Sequence, residues 1–129
     1  MQLTIPVVLE AWIGGYVGPS YRISLKGDLV TYEVFDEGYA LHCKEEFRPE
    51  PAQWRLFLRQ IEEIGLWSWA SEYRLPSGEI GDSATETSWS LSINLGFRDL
   101  TSRGEGTFAP GFVEYLRAVR ELLGGRQFA

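Results

Sequence analysis

The feature that most constrains the fold is a strict alternation of apolar and polar residues near position 90. The apolar positions are Trp89, Leu91, Ile93 and Leu95, and serine or asparagine residues separate them. Because successive side chains of a β-strand point to opposite faces, this period of two predicts a strand with one buried and one open face. A sheet with one buried face needs a covering layer of other elements.

Most of the remaining strand pattern precedes Pro49. A two-residue turn at Gly27-Asp28 is typical of a β-hairpin, so these residues indicate an antiparallel meander. A weaker and more polar strand follows residue 99. The strands predicted besides the one near residue 90 cover residues 7–13, 21–26, 29–35, 39–45 and 100–107.

Two segments carry a helical spacing of apolar residues instead. The first stripe is Trp54, Phe57, Leu58, Ile61 and Ile64. Pro51 suits the first helical position and Gly65 suits the end. The second stripe is Phe112, Tyr115, Leu116, Val119, Leu122 and Leu123. The sequence therefore predicts one α+β domain over residues 1–129, with element order β-β-β-β-α-β-β-α, a largely antiparallel sheet and both helices on one face.

The composition indicates the cellular compartment and disfavours some classes of partner. The single cysteine, Cys43, excludes an intramolecular disulfide and suits a reducing compartment, so a cytoplasmic protein is expected. A net charge of −6 disfavours nucleic acid, which requires a concentrated basic face. No apolar run reaches the roughly 18 residues of a membrane span, so no membrane association is expected.

Recognisable catalytic and metal sites are not predicted. His42 and Cys43 are neighbours on a predicted strand, so their side chains should diverge and fail the geometry of a nucleophile and its base. The sequence has no paired histidines and no second cysteine for a metal, and no cofactor is expected. A hydrolase would need a pair of catalytic carboxylates, and the sequence does not select a pair among the candidates. These candidates are Glu33, Glu45, Glu46, Glu79, Asp82 and Glu86.

The candidate binding residues lie in the segment 67–86. Trp67 and Trp69 follow the first helix, and in an extended segment both rings would point to one side. The alternative is that these rings close the core, where Trp12, Trp54 and Trp89 are also expected. A long polar stretch follows, and such loops are often functional. The predicted binding residues are Trp67, Trp69, Tyr73, Glu79, Asp82 and Glu86.

A dispersed set of residues gives the chain a resemblance to a known group. The set is Leu66-Trp67-Ser68-Trp69, Tyr73, Asp82, Trp89-Ser90-Leu91-Ser92-Ile93, Ser102, Gly104, Pro110, Phe112 and Leu116. In this pattern the chain resembles a loosely defined group of small uncharacterised bacterial domains. The resemblance implies an α+β fold and no activity.

Three functions follow as hypotheses. The first is a non-catalytic binding or interaction domain that uses residues 67–86 to hold a protein or small-molecule partner. The second is a small carboxylate-dependent hydrolase. The third is a structural domain that forms a homodimer through its uncovered sheet face or an edge strand.

Overall fold

The computed structural model describes residues 5–74 and 87–129 of the chain. Seven strands and two α-helices are present in these residues. The strands are β1 (Val8–Gly14), β2 (Ser20–Lys26), β3 (Leu29–Phe35), β4 (Leu41–Phe47), β5 (Glu72–Arg74), β6 (Ser88–Asn94) and β7 (Asp99–Glu105). The helices are α1 (Pro51–Glu63) and α2 (Phe112–Leu122).

All seven strands form one sheet in the order β4-β3-β2-β1-β6-β7-β5. Every neighbouring pair is antiparallel except β5 and β7, which are parallel. The predicted α+β class and largely antiparallel sheet are confirmed. The element order differs from the prediction by the three-residue strand β5, which is too short to show an alternation.

One face of the sheet carries the core. Ala11 in β1 lies opposite Ile23 in β2 and Leu91 in β6, and all three side chains are buried. The buried side chains of both helices, including Trp54 and Tyr115, belong to the same apolar cluster. The apolar stripes of both helices therefore contribute to this core.

Local sequence explains where α1 begins and ends. Pro51 occupies the first helical position, and the backbone N–H of Glu50 donates to Gln53 Oε1 at 2.7 Å. This reciprocal contact satisfies a backbone group that a helix start leaves unpaired. Gly65 follows the helix with a φ of 74°, a left-handed conformation that glycine adopts without a steric penalty. Neither α1 nor α2 has the length and the apolar composition that a membrane-spanning helix requires.

The fourth strand starts later than predicted. A 3-10 turn at Glu37–Tyr39 replaces the expected strand start, and the register shifts between Val34 and Phe35. Tyr39 and Leu41 are consequently exposed, whereas Cys43 is half-buried. The strand start predicted at residue 39 is therefore wrong, and the strand begins at Leu41.

Candidate functional site

A cleft lies at one end of the sheet. It encloses about 720 Å³ where the end of β1, the start of β2, the first turns of α2 and the last residues of the chain meet. Most of its wall is apolar: Ile13, Pro19, Phe108, Ala109, Phe112, Val113 and Leu116. We call this surface the α2 cleft.

A tight loop fixes the strand side of the α2 cleft. The side chain of Ser20 is buried and bridges the backbone of Gly15, since its Oγ accepts from the N–H at 3.1 Å and donates to the carbonyl at 3.0 Å. Gly14 packs so closely on Ser20 that a Cβ there would lie 2.1 Å from Oγ. Only glycine permits this approach. The wall formed by Ile13, Pro19 and Tyr21 is therefore held in place.

Aromatic packing fixes the helix side. Phe112, the first residue of α2, lies 4.8 Å from Trp89 and 5.0 Å from Phe108 between ring centroids. Ring pairs at such separations stabilise their arrangement beyond simple burial. Phe108 remains 46 % exposed and Val113 63 % exposed, so both contribute accessible apolar surface to the cleft rim.

The C-terminal residues close the cleft from a third direction. The hydroxyl of Tyr32 donates to the Gln127 carbonyl at 2.6 Å, and Arg120 donates to the Phe128 carbonyl at 3.3 Å. Phe128 itself is fully buried. Sequence reasoning assigned no role to residues 126–129. The one signal in the sequence that this segment returns to the core is Phe128, an isolated phenylalanine after Gly124 and Gly125.

Few polar side chains line the α2 cleft. They are Tyr21, Thr87, Glu114 and Gln127, and Glu114 is the one charged side chain among the described lining residues. Neither Tyr21 nor Glu114 makes a side-chain hydrogen bond or ion pair with another described residue. A tyrosine hydroxyl is neutral at neutral pH, and burial raises the pKa of Tyr21 further above its ordinary value. The arrangement suits an apolar ligand with a small number of polar atoms.

The two predicted tryptophans lie in different surroundings. Trp69 is 6 % exposed, its indole N–H donates to the Pro110 carbonyl at 2.9 Å, and its ring lies 5.3 Å from Tyr115. Trp67 is half-buried at the surface, where the Arg98 guanidinium stacks 4.2 Å from its ring. The segment Leu66–Ser68 is a 3-10 turn rather than an extended strand. The two rings therefore contact different groups, and Trp69 fits the alternative of a ring that closes the core.

The other predicted binding residues divide between the core edge and the undescribed part of the chain. Tyr73 is half-buried, its ring lies 6.0 Å from Trp89, and its hydroxyl accepts from the N–H of Ala70 at 2.9 Å. Glu79, Asp82 and Glu86 lie outside the described residues. Thr87, the next residue in sequence after the predicted segment, lines the α2 cleft.

Trp12 lies on the open face of the sheet, so its expected place in the core is wrong. Ala11 and Ile13 face the core, and the alternation of β1 directs the side chain between them outward. The Trp12 ring lies 5.7 Å from Phe35 and 5.9 Å from Tyr39. Together with Tyr16, these rings form a packed, partly exposed group that we call the outer aromatic cluster.

Each of the described carboxylates considered for a hydrolase contacts a different side chain. Glu33 pairs with Arg22 at 2.7 Å, and Glu45 pairs with Arg126 at 2.5 Å. Glu46 accepts a long hydrogen bond of 3.5 Å from Thr31. In residues 5–74 and 87–129, no group of three or more His, Cys, Asp or Glu side chains could hold a metal ion.

Comparison with known proteins supplies no activity. No family model matches the chain, and no curated protein matches it.

Proposed function

We propose that the protein is a non-catalytic binding domain that holds a small molecule with an apolar body in the α2 cleft. The observation that carries this proposal is the cleft itself, about 720 Å³ of mainly apolar wall with few polar groups. Ligand pockets typically enclose about 300–1,000 Å³ and have this composition. Burial of apolar ligand surface supplies the binding free energy, and the Tyr21, Thr87 and Gln127 side chains provide polar contacts that orient the ligand.

The rigidity of the cleft walls supports a preformed binding site. The Ser20 bridge fixes the strand wall, the Phe112 ring contacts fix the start of α2, and the buried Phe128 fixes the C-terminal segment. A ligand entering a preformed cleft orders fewer protein groups, which lowers the entropic cost of binding.

The other two exposed aromatic surfaces are less suited to a small molecule. The outer aromatic cluster consists of rings that contact one another on an open sheet face, so its rings already occupy the space between them. The Trp67 face is already covered by Arg98, whose guanidinium also pairs with Glu62 at 3.2 Å. A ligand at that ring would have to displace an existing cation–π contact.

The test uses the neutral apolar dye Nile red and a matched pair of substitutions. Val113 is the second residue of α2 and lines the cleft, whereas Ala52 is the second residue of α1 and is exposed outside it. Val113→Trp fills the rim and is expected to weaken dye binding by about ten-fold or more, because bulk in the site excludes the dye. Ala52→Trp adds a similar indole to a similar helix position and is expected to leave the affinity unchanged.

Phe108→Ser provides a second variant that removes one wall of the cleft. Its side chain is partly exposed, so the fold should tolerate the change while apolar contact with the dye is lost. Circular dichroism confirms that each variant is folded before titration. Equal dye affinity in the wild type, Val113→Trp and Phe108→Ser would contradict the assignment of the cleft, and so would an absence of dye binding by the wild type.

A further inference from the structure

Building on the proposed function, we infer that the ligand of the α2 cleft is an amphipathic cation, with an ammonium-type group at Glu114 and an apolar body against the aromatic wall. No lysine, arginine or histidine lines the cleft among the described residues, and Glu114 is the one charged side chain there. The chain as a whole also carries a net charge of −6.

The Glu114 carboxylate is available to an incoming cation. It lies in the first turn of α2, is exposed, and forms no ion pair with another described residue. The positive end of the helix dipole, equivalent to about half a charge, offsets part of the carboxylate charge but does not cancel it. The described lining residues therefore carry a net negative charge, which attracts cations and repels anions.

The aromatic wall favours the same ligand class. The rings of Tyr21, Phe108 and Phe112 line the cleft together with Glu114. An ammonium group is attracted to the face of an aromatic ring and retains its charge in a partly apolar site. A carboxylate or phosphate ligand would meet the Glu114 carboxylate, and no basic side chain among the described lining residues would compensate for the repulsion. The lining thus selects by charge as well as by apolar contact.

Three probes of equal chain length separate charge from apolar contact: octyltrimethylammonium, 1-octanol and octanoate. Isothermal titration calorimetry of the folded full chain at low salt is expected to rank their affinities in that order. Glu114→Gln should weaken octyltrimethylammonium binding by about five-fold, the upper range for a partly exposed ion pair. It should leave 1-octanol unchanged and strengthen octanoate.

The matched control is Glu121→Gln, which removes the same charge from the same helix outside the α2 cleft. Because this charge is remote from the cleft and screened by salt, the substitution is expected to leave the affinities for all three probes nearly unchanged. A salt titration of the wild type keeps the test independent of any folding defect. Raising the ionic strength should weaken octyltrimethylammonium binding and leave 1-octanol binding unchanged.

The outcomes distinguish this inference from the proposed function. If 1-octanol and octyltrimethylammonium bind equally, with no effect of salt or of Glu114→Gln, the charge preference is wrong and the apolar cleft stands. If octanoate binds most tightly, the preference is reversed and the inference is likewise overturned. If none of the three probes binds the wild type at millimolar concentration, the proposed function fails and the inference fails with it.

Discussion

Gly104 in β7 lies directly opposite Trp89 in β6, and the two residues pack more closely than any other side chain would allow. A Cβ on Gly104 would lie 2.5 Å from Trp89 Nε1 and 2.6 Å from the Thr107 carbonyl oxygen. The same indole N–H donates to that carbonyl at 2.8 Å. Gly104→Ala therefore inserts a methyl group into the contact between a buried ring and its hydrogen-bond acceptor.

The expected destabilisation has two parts. Overpacking a buried site by one methyl group costs about 1–3 kcal/mol, and weakening the indole hydrogen bond costs about 1 kcal/mol. The gain from replacing a flexible glycine in a strand is about 0.5 kcal/mol in the opposite direction. The free energy of unfolding should fall by about 1.5–3.5 kcal/mol.

Urea denaturation followed by circular dichroism measures this loss. Gly27→Ala is the control, because no atom lies within 4 Å of its added Cβ and only the positive φ of 67° opposes the change. That substitution should cost about 1 kcal/mol. In a Trp89→Phe background the cost of Gly104→Ala should fall by about 1 kcal/mol, since the clashing nitrogen is gone. A cost below 0.5 kcal/mol for Gly104→Ala, or an unchanged cost in the Trp89→Phe background, would refute the steric reasoning.

Two further predictions concern the aromatic residues and are measured by chemical denaturation. Trp69→Ala should lower the free energy of unfolding by about 3–5 kcal/mol, because removal of a buried ring leaves a cavity. Trp67→Ala removes a half-buried ring and its Arg98 contact, so it should cost only about 1–2 kcal/mol. Equal losses in the two variants would contradict the placement of the two rings. Burial raises the pKa of Tyr115, so above about pH 10 the folded state keeps the hydroxyl proton while the unfolded state loses it. The free energy of unfolding should therefore fall as the pH rises above about 10. For this residue the decline is at most about 1.4 kcal/mol per pH unit. Tyr115→Phe should make that decline less steep, and an unchanged slope would show that Tyr115 does not carry it.

Periodicity was sufficient for the elements with a regular pattern. The alternation from Trp89 to Ile93 placed those side chains on the buried face, and Gly27-Asp28 located the β2–β3 hairpin, with Lys26 opposite Leu29. The same rule would have placed Trp12 correctly. The phase set by Leu9 and Ile13 directs Trp12 outward, and the size of the indole does not override that phase.

The α2 cleft could not be predicted, because it is assembled from residues distant in sequence. Its walls come from residues 13–21, Thr87, residues 108–116 and the C-terminal residues, which meet only because β1 pairs with β6. No local pattern encodes that long-range pairing. The Trp67 and Trp69 prediction depended on an extended segment, and a 3-10 turn of three residues gives no periodic signal.

The most direct test of the account is the location of ligand contacts, measured by methyl NMR during titration with octyltrimethylammonium. The largest chemical-shift changes are expected at Ile13, Val113 and Leu116, which line the α2 cleft. Leu58 and Leu95, which lie beside Trp67, should remain unchanged. The largest changes at Leu58 and Leu95, with none at Val113 and Leu116, would contradict the account and place the binding site at Trp67.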